Sequence, residues 1–446
     1  MSFYSVELTY LPDAARYFAA LAGLPCAAWL DSGGMGRYDI LTAAPYRTLQ
    51  ASADDGAAAF AAIREALGER VPAVVDVPFA GGALGYWGYD LARGMMALSD
   101  QATDAERLPA MAVGLYDWAL VLDHRESSAR LVSHLRDAGT EALLAQLLPR
   151  LLAAAERESP QPPDDFRVHG EIACNFTRDS YAAAFDAVQR YLQSGDCYQI
   201  NLAQRFSAAA SGDARGAYLK LRGISPAPYS AFLDLPGAQV LCASPERFIG
   251  VTDGRVETRP IKGTRPRAAD PVRDAQLADE LRHHPKDRAE NLMIVDLLRN
   301  DLGKHCATGT VRVPGLFEVE SYSNVHHLVS TVQGELAAGH DALDLLQGCF
   351  PGGSITGAPK LRAMQIIEQL EPHRRGVYCG AIGYVGFDGN MDSNIVIRTL
   401  VYSDGIIRCW AGGGIVADSQ CDAEYQETLD KASAMLALLR ACGGEG

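Results

Sequence analysis

One lysine stands among arginines in "TRPIKGTRPR" (258–267), where Lys262 is held between Pro260 and Gly263. A clamp for phosphate or carboxylate is served as well by arginine, which hardly deprotonates in a protein. A desolvated lysine can become a nucleophile or base. The residue type therefore points to covalent or proton-transfer chemistry, with a surface cation as the plain alternative.

Carboxylates offer a second chemistry. Glu290 falls in the first turns of "DRAENLMIVDLLRNDLG", whose Leu292, Ile294, Val295, Leu297 and Leu298 supply a buried face. In "DAEYQETLDKASAMLALLR", Glu424 and Glu427 are three apart and share a helix face. Carboxylates on two helices, with no histidine or cysteine at ligand spacing, suit a hard cation such as Mg²⁺ that keeps several waters. The competing reading is a solvated face carrying a Glu427–Lys431 pair.

"FPGGSITGAPKLRAMQIIEQL" (350–370) is a glycine-rich loop opening a helix, where backbone N–H groups attract anions. Gly352 and Gly357 have phosphate-loop separation, but Ala358-Pro359 stands where Lys and Ser/Thr belong, so nucleotide chemistry is disfavoured. A carboxylate-holding loop with Thr356 and Lys360 fits better than either that or a plain helix start. "SNVHHLVSTV" places His326 and His327 before an apolar strand, so alternation sends one ring inward and the other outward. Glu246 in "SPERF" begins the hairpin that leads to Lys262, and "IVIRTL" sets Arg398 mid-strand, where it needs a buried anion.

Positioning these groups takes a mixed architecture. "TRDSYAAAFDAVQRYLQSGD" reads as a helix capped by Thr or Asp and stopped at Gly195. "RFIGVTDGRVETR" folds back at Asp253-Gly254, and residues 380–416 read as three strands turning at Asp388-Gly389 and Asp404-Gly405. A meander of antiparallel strands interrupted by helices predicts an α+β fold. Composition shifts once, in "AAAERESPQPPDDFRVHGE" (153–171), which divides the chain into segments 1–160 and 172–446.

Composition excludes several classes. With 446 residues, 48% hydrophobic and 21% charged, the chain is an ordinary globular protein of about two domains' length. Its net charge of -15 opposes nucleic-acid binding. An anionic ligand must meet local positive charge or a metal. No apolar run reaches the roughly 18 residues of a membrane span, and the N-terminus lacks a signal-like h-region, which predicts a cytoplasmic address with no membrane partner. Ten scattered cysteines without C-x-x-C spacing read as reduced core thiols.

In order and spacing, "SPERF", "RPIKGTRPR", "AENLMIVDLLRNDLG", "HHLVS", "PGGSITGAPK", "IRTL", "AGGGIVADS" and "EYQET" resemble the chorismate-utilising enzymes, densely over about 174–440. The resemblance implies two packed, mainly antiparallel sheets surrounded by helices, the anthranilate synthase component I-like fold, with segment 1–160 as its N-terminal domain and 172–446 as the chorismate-binding domain. It implies Mg²⁺ held by Glu290 and Glu427, with Glu424 acting through water, and chorismate carboxylates held by Arg398 and the amides of Gly413 and Gly414, helped by Tyr384, Lys360 and Thr356.

Two positions would select the reaction. Relatives that add water to the ring carry a lysine base where this chain has Gln199, an amide that cannot deprotonate water. Relatives that make anthranilate carry alanine in place of Lys262. The resemblance thus implies the branch that aminates chorismate at C4, towards 4-aminobenzoate and folate. The Lys262 amine would attack C2, Glu246 would pass a proton to the departing hydroxyl, and His327 would orient or act as an acid. At an unperturbed pKa of about 10.4, on the order of one lysine in 2,500 is neutral at pH 7, so burial or nearby cations must depress it; Arg259 and Arg265 are the candidates. Ammonia would come from a separate glutamine amidotransferase subunit, since no G-x-C-x-G elbow is present. "AWLDSGG" and "SPAPYSAF" loosely resemble the family's tryptophan pocket, which leaves bound tryptophan open. The rival readings are anthranilate synthesis and a silent scaffold that docks the amidotransferase.

Overall fold

The computed structural model describes residues 3–96, 98–156, 165–322 and 325–443. The middle of the 153–171 composition shift, residues 157–164, lies outside that range. Two sheets, of twelve and ten strands, organise the described residues. Every pairing between their strands is antiparallel, as the α+β expectation required.

Both sheets draw strands from both sides of residue 160. In the larger one, Ala28–Asp31 pairs with Tyr229–Leu235; in the smaller, Gly82–Trp87 pairs with Ala381–Gly386. Segments 1–160 and 172–446 therefore do not build separate sheets. Strand alternation explains the layers, because one face of each sheet meets the other. Ala28, Val121, Ala231 and Val240 from the larger sheet share a core with Tyr86, Ala112 and Ile382 from the smaller. Outer faces are covered by helices: Thr140–Glu156, Ala214–Ile224 and Cys421–Cys442 on one, Gly56–Leu67 and Ala342–Cys349 on the other. All four tryptophans are fully buried, and burying a large apolar side chain stabilises by about 1.5–3 kcal/mol.

Local signals behave as their chemistry dictates. Thr177 caps the Arg178–Gln193 helix in a reciprocal box with Ser180. Asp253 and Gly254 both take positive φ, 49° and 78°, as do Asp404 and Gly405, which matches the twist of two-residue hairpins.

Residues 380–416 form four strands, not three. Ala381–Gly386 and Met391–Ile395 lie in the smaller sheet, whereas Thr399–Ser403 and Ile406–Ile415 lie in the larger. Arg398 consequently sits in the crossing between sheets, with φ 50°, and not mid-strand. A run of apolar residues conceals a bend when both sides of it are buried. The chain also crosses between Ala238–Ser244 and Arg247–Thr252, and Glu246 occupies that crossing. The two crossings are stitched together by Ile395 N–H donating to Glu246 O at 3.0 Å and Ser244 Oγ donating to Ile395 O at 2.6 Å.

Candidate active site

Crossings free side chains from the alternation of a ladder, and this one brings acid and base together. Glu246 is buried, 7% exposed, and burial raises its carboxyl pKa against the opposing pull of Lys262, the Ser354 hydroxyl and the Ile261 amide. Lys262 lies on the Ile261–Pro266 strand and donates to Ser354 O at 3.2 Å. Burial lowers its amine pKa; Glu246 and Glu290 oppose that shift, and Lys431 assists it. Ser354 thus touches on both partners: its carbonyl accepts from the lysine, and its hydroxyl lies close enough to Glu246 to favour the ionised carboxylate.

The cations expected to depress Lys262 do not do so. Arg259 is neutralised by Glu320, and Arg265 pairs with Asp287 at 3.0 Å. Burial and Lys431 take their place.

Arg398 faces Glu246 and His327 across this space. Burial lowers its pKa, and among the described residues no carboxylate forms an ion pair with it. A half-buried guanidinium in that state is ready for an anionic ligand. His326 and His327 are both buried, at 2% and 4% exposure, because helix Pro271–His283 covers the face that would otherwise meet water. His326 takes Asp274 at 3.0 Å. His327 has its pKa pushed down to about 4 by burial and by Arg398, with Nδ1 2.9 Å from Thr264 Oγ1. It is neutral at pH 7, and its contact with Thr264 braces the strand that carries Lys262.

The glutamates converge from two helices. Glu427 pairs with Lys431 at 2.7 Å, the i,i+4 contact legible in the sequence, which holds its carboxyl below the usual range against burial. Lys286 stands 3.8 Å from Glu290 and 3.6 Å from Glu424. Burial raises the pKa of Glu290 and of Glu424. Glu424 is 2% exposed; its Oε1 accepts from Ser419 Oγ at 2.6 Å, and its Oε2 is buried with no hydrogen-bond partner among the described residues. Gly413 lies beneath these groups, where a Cβ would stand 3.0 Å from that Oε2. No three His, Cys, Asp or Glu side chains among the described residues gather at ligating distance around one point. The orphaned oxygen, the carboxylate excess and the all-oxygen donor set fit a hard divalent cation.

Gln199 is buried against Gly414, where any Cβ would collide with its Nε2, and its Oε1 has no partner among the described residues. Thr356 is fully buried with its hydroxyl donating to Gly352 O at 3.1 Å, so it shapes the glycine loop and does not face a ligand.

Two expected substrate contacts lie elsewhere. Lys360 is committed to Asp301 at 2.8 Å and to Cys349 O at 2.6 Å. Tyr384 lines a separate cavity of about 400 Å³ between the sheets, with Asp31, Ser32, Tyr38, Tyr229 and Ser230. That cavity contains residues of "AWLDSGG" and "SPAPYSAF"; strand register, invisible in the sequence, sent Tyr384 there. Lys286, Lys431 and Ser354 are site residues that the functional reading of the sequence left out. The i,i+4 spacing of each lysine from a glutamate was the available signal.

A face-to-face antiparallel sandwich with an acid and a guanidinium at its sheet crossings, an amine on a nearby strand and three glutamates on two helices defines a class, and the chain belongs to the chorismate-binding enzymes, whose family model matches residues 25–437. It is 47% identical to aminodeoxychorismate synthase component 1 of Escherichia coli (strain K12), over 97% of each chain. It is 36% identical to anthranilate synthase component 1 of Geobacillus stearothermophilus, over 91% of this chain and 86% of that one. Among solved structures, anthranilate synthase component I from Streptococcus pneumoniae superposes with a TM-score of 0.79 at 31% identity, covering 90% of this chain and 92% of that one. No helix among the described residues is long and apolar enough to cross a membrane.

Proposed function

We propose that this chain is an aminodeoxychorismate synthase component 1, which aminates chorismate to 4-amino-4-deoxychorismate through a covalent Lys262 intermediate. The observation that carries the reading is the Lys262 amine, drawn into the interior beside Glu246 with its pKa lowered by burial. The names of its relatives support the same activity and imply a partner component.

In the first step the neutral Lys262 amine bonds to C2 of the ring, both ring double bonds shift (C1=C2 to C1=C6 and C5=C6 to C4=C5), and the C4–O bond breaks. Protonated Glu246 gives its proton to the departing hydroxyl, which leaves as water, and the resulting carboxylate takes the proton that the lysine nitrogen sheds. In the second step ammonia bonds to C4, both double bonds return to their original positions, and the C2–N bond breaks; Glu246 gives its proton to the leaving lysine and takes the one shed by the new C4 nitrogen, which restores the starting acid. A raised carboxyl pKa and a lowered amine pKa suit these roles near neutrality. Arg398 holds the substrate carboxylate, and Gln199, beside Gly414, offers an amide where water activation would need a base. Glu290, Glu424 and Glu427 would hold Mg²⁺, whose charge neutralises the ring carboxylate and draws electron density as the hydroxyl departs. Ammonia comes from a separate glutamine amidotransferase.

Anthranilate synthesis is the second reading, favoured by the likeness to the S. pneumoniae structure and opposed by the amine at position 262. Assay of the purified chain with chorismate, Mg²⁺ and ammonium separates them by product: 4-amino-4-deoxychorismate supports the proposal, and anthranilate replaces it with the second reading.

A further inference from the structure

Lys360 was expected to hold substrate, yet its ammonium is spent inside the protein. Nζ donates to Cys349 O, the last residue of helix Ala342–Cys349, at 2.6 Å. Lys360 itself is the first residue of helix Lys360–Leu370. One ammonium therefore joins the two ends of the intervening loop, 350–359. Asp301 on helix Pro285–Gly303 anchors it, with Oδ2 2.8 Å from Lys360 and Oδ1 3.0 Å from Lys304. Asp301 and Lys360 side chains are 4% and 11% exposed, so this ion pair is well shielded from water.

The loop so closed carries Ser354, which contacts both Lys262 and Glu246. Its glycines leave no slack: a Cβ on Gly353 would collide with Leu297 of the Pro285–Gly303 helix, and one on Gly352 would stand 2.5 Å from Ile395 Cδ1. The same helix carries Glu290. One rigid element thus sets both a candidate metal ligand and, through Asp301, the loop above the amine.

We propose that Asp301 and Lys360 are a positioning pair for the reaction, a clasp whose ion pair fixes Ser354 and through it the aim of the Lys262 amine. The proposal rests on the reading of Lys262 as the attacking amine. Shifts of an ångström at a reacting group can cost on the order of 10²-fold in rate, so a clasp at the loop's base is enough to matter.

The test uses the full chain with Lys360→Met and, separately, Asp301→Asn, each checked for folding by circular dichroism. Steady-state kinetics are run with chorismate, Mg²⁺ and saturating ammonium. Labelling of Lys262 by trinitrobenzenesulfonate is followed by peptide mass spectrometry. The clasp predicts kcat down roughly tenfold or more with KM for chorismate within about twofold, since orientation is lost and ground-state binding is not. It also predicts Lys262 labelling at least about threefold faster in both variants, because the loop opens locally. A rise in KM with kcat intact would make Lys360 a substrate contact and overturn the proposal. Unchanged Lys262 labelling in whichever variant folds would overturn it as well. Should Lys262→Ala retain synthesis, the functional reading falls, and the labelling result still decides whether the clasp aims the amine.

Discussion

Ser354 and Lys262 are joined at 3.2 Å, carbonyl to amine, while the Ser354 hydroxyl stands near the Glu246 carboxyl. One loop residue therefore sets the distance between the acid and the nucleophile. Its hydroxyl also favours the ionised form of Glu246. In Ser354→Ala the carboxyl pKa should rise further and kcat should fall about 5- to 30-fold, the equivalent of one lost hydrogen bond to a charged group. The pH profile of kcat checks this, with its basic limb, which reports loss of the Glu246 proton, moving to higher pH.

Arg398 should show opposite effects on binding and stability. Its guanidinium is half-buried, and among the described residues it has no ion-paired carboxylate. Arg398→Met removes an uncompensated desolvation cost and should leave the melting temperature unchanged or raised. Loss of a charged bond to a carboxylate should raise KM for chorismate roughly 10- to 100-fold. Thermal melts and steady-state kinetics on the same preparation read both.

His327 makes stability depend on pH. Its pKa falls from 6.5 to about 4 on folding, so the unfolded chain binds more protons between those values. The contribution is fully present above pH 6.5 and is lost as pH falls towards 4, at most about 3 kcal/mol. Urea midpoints measured from pH 7.5 to 4 should fall more steeply for the natural chain than for His327→Asn.

Glu424 offers a readout of the cation independent of turnover. A ligand that binds only the folded state raises its melting temperature. Added MgCl₂ should stabilise the natural chain and leave Glu424→Gln nearly unmoved, while EDTA should erase the difference. Equal Mg²⁺ shifts in both would remove Glu424 from the metal site.

Residue identity made much of this site legible. Glycines, paired glutamates and the lone lysine announce themselves because their chemistry is unusual wherever they lie. What failed to show was direction. Tyr384 and Arg398 were assigned from their neighbours in the chain, and the structure separates them: the strand Ala381–Gly386 turns Tyr384 into another cavity, while the crossing after Ile395 gives Arg398 its place. Lys360 looked free because Asp301, its partner, lies 59 residues away in sequence. The division near residue 160 followed composition, yet strand pairing across it depends on contacts no local pattern encodes.

The account depends on the Lys262 amine, and the most direct measurement is the product formed by Lys262→Ala from chorismate, Mg²⁺ and ammonium. The reading predicts that 4-amino-4-deoxychorismate formation is lost while the variant still folds and still gains stability from Mg²⁺. Formation at the rate of the natural chain would contradict it.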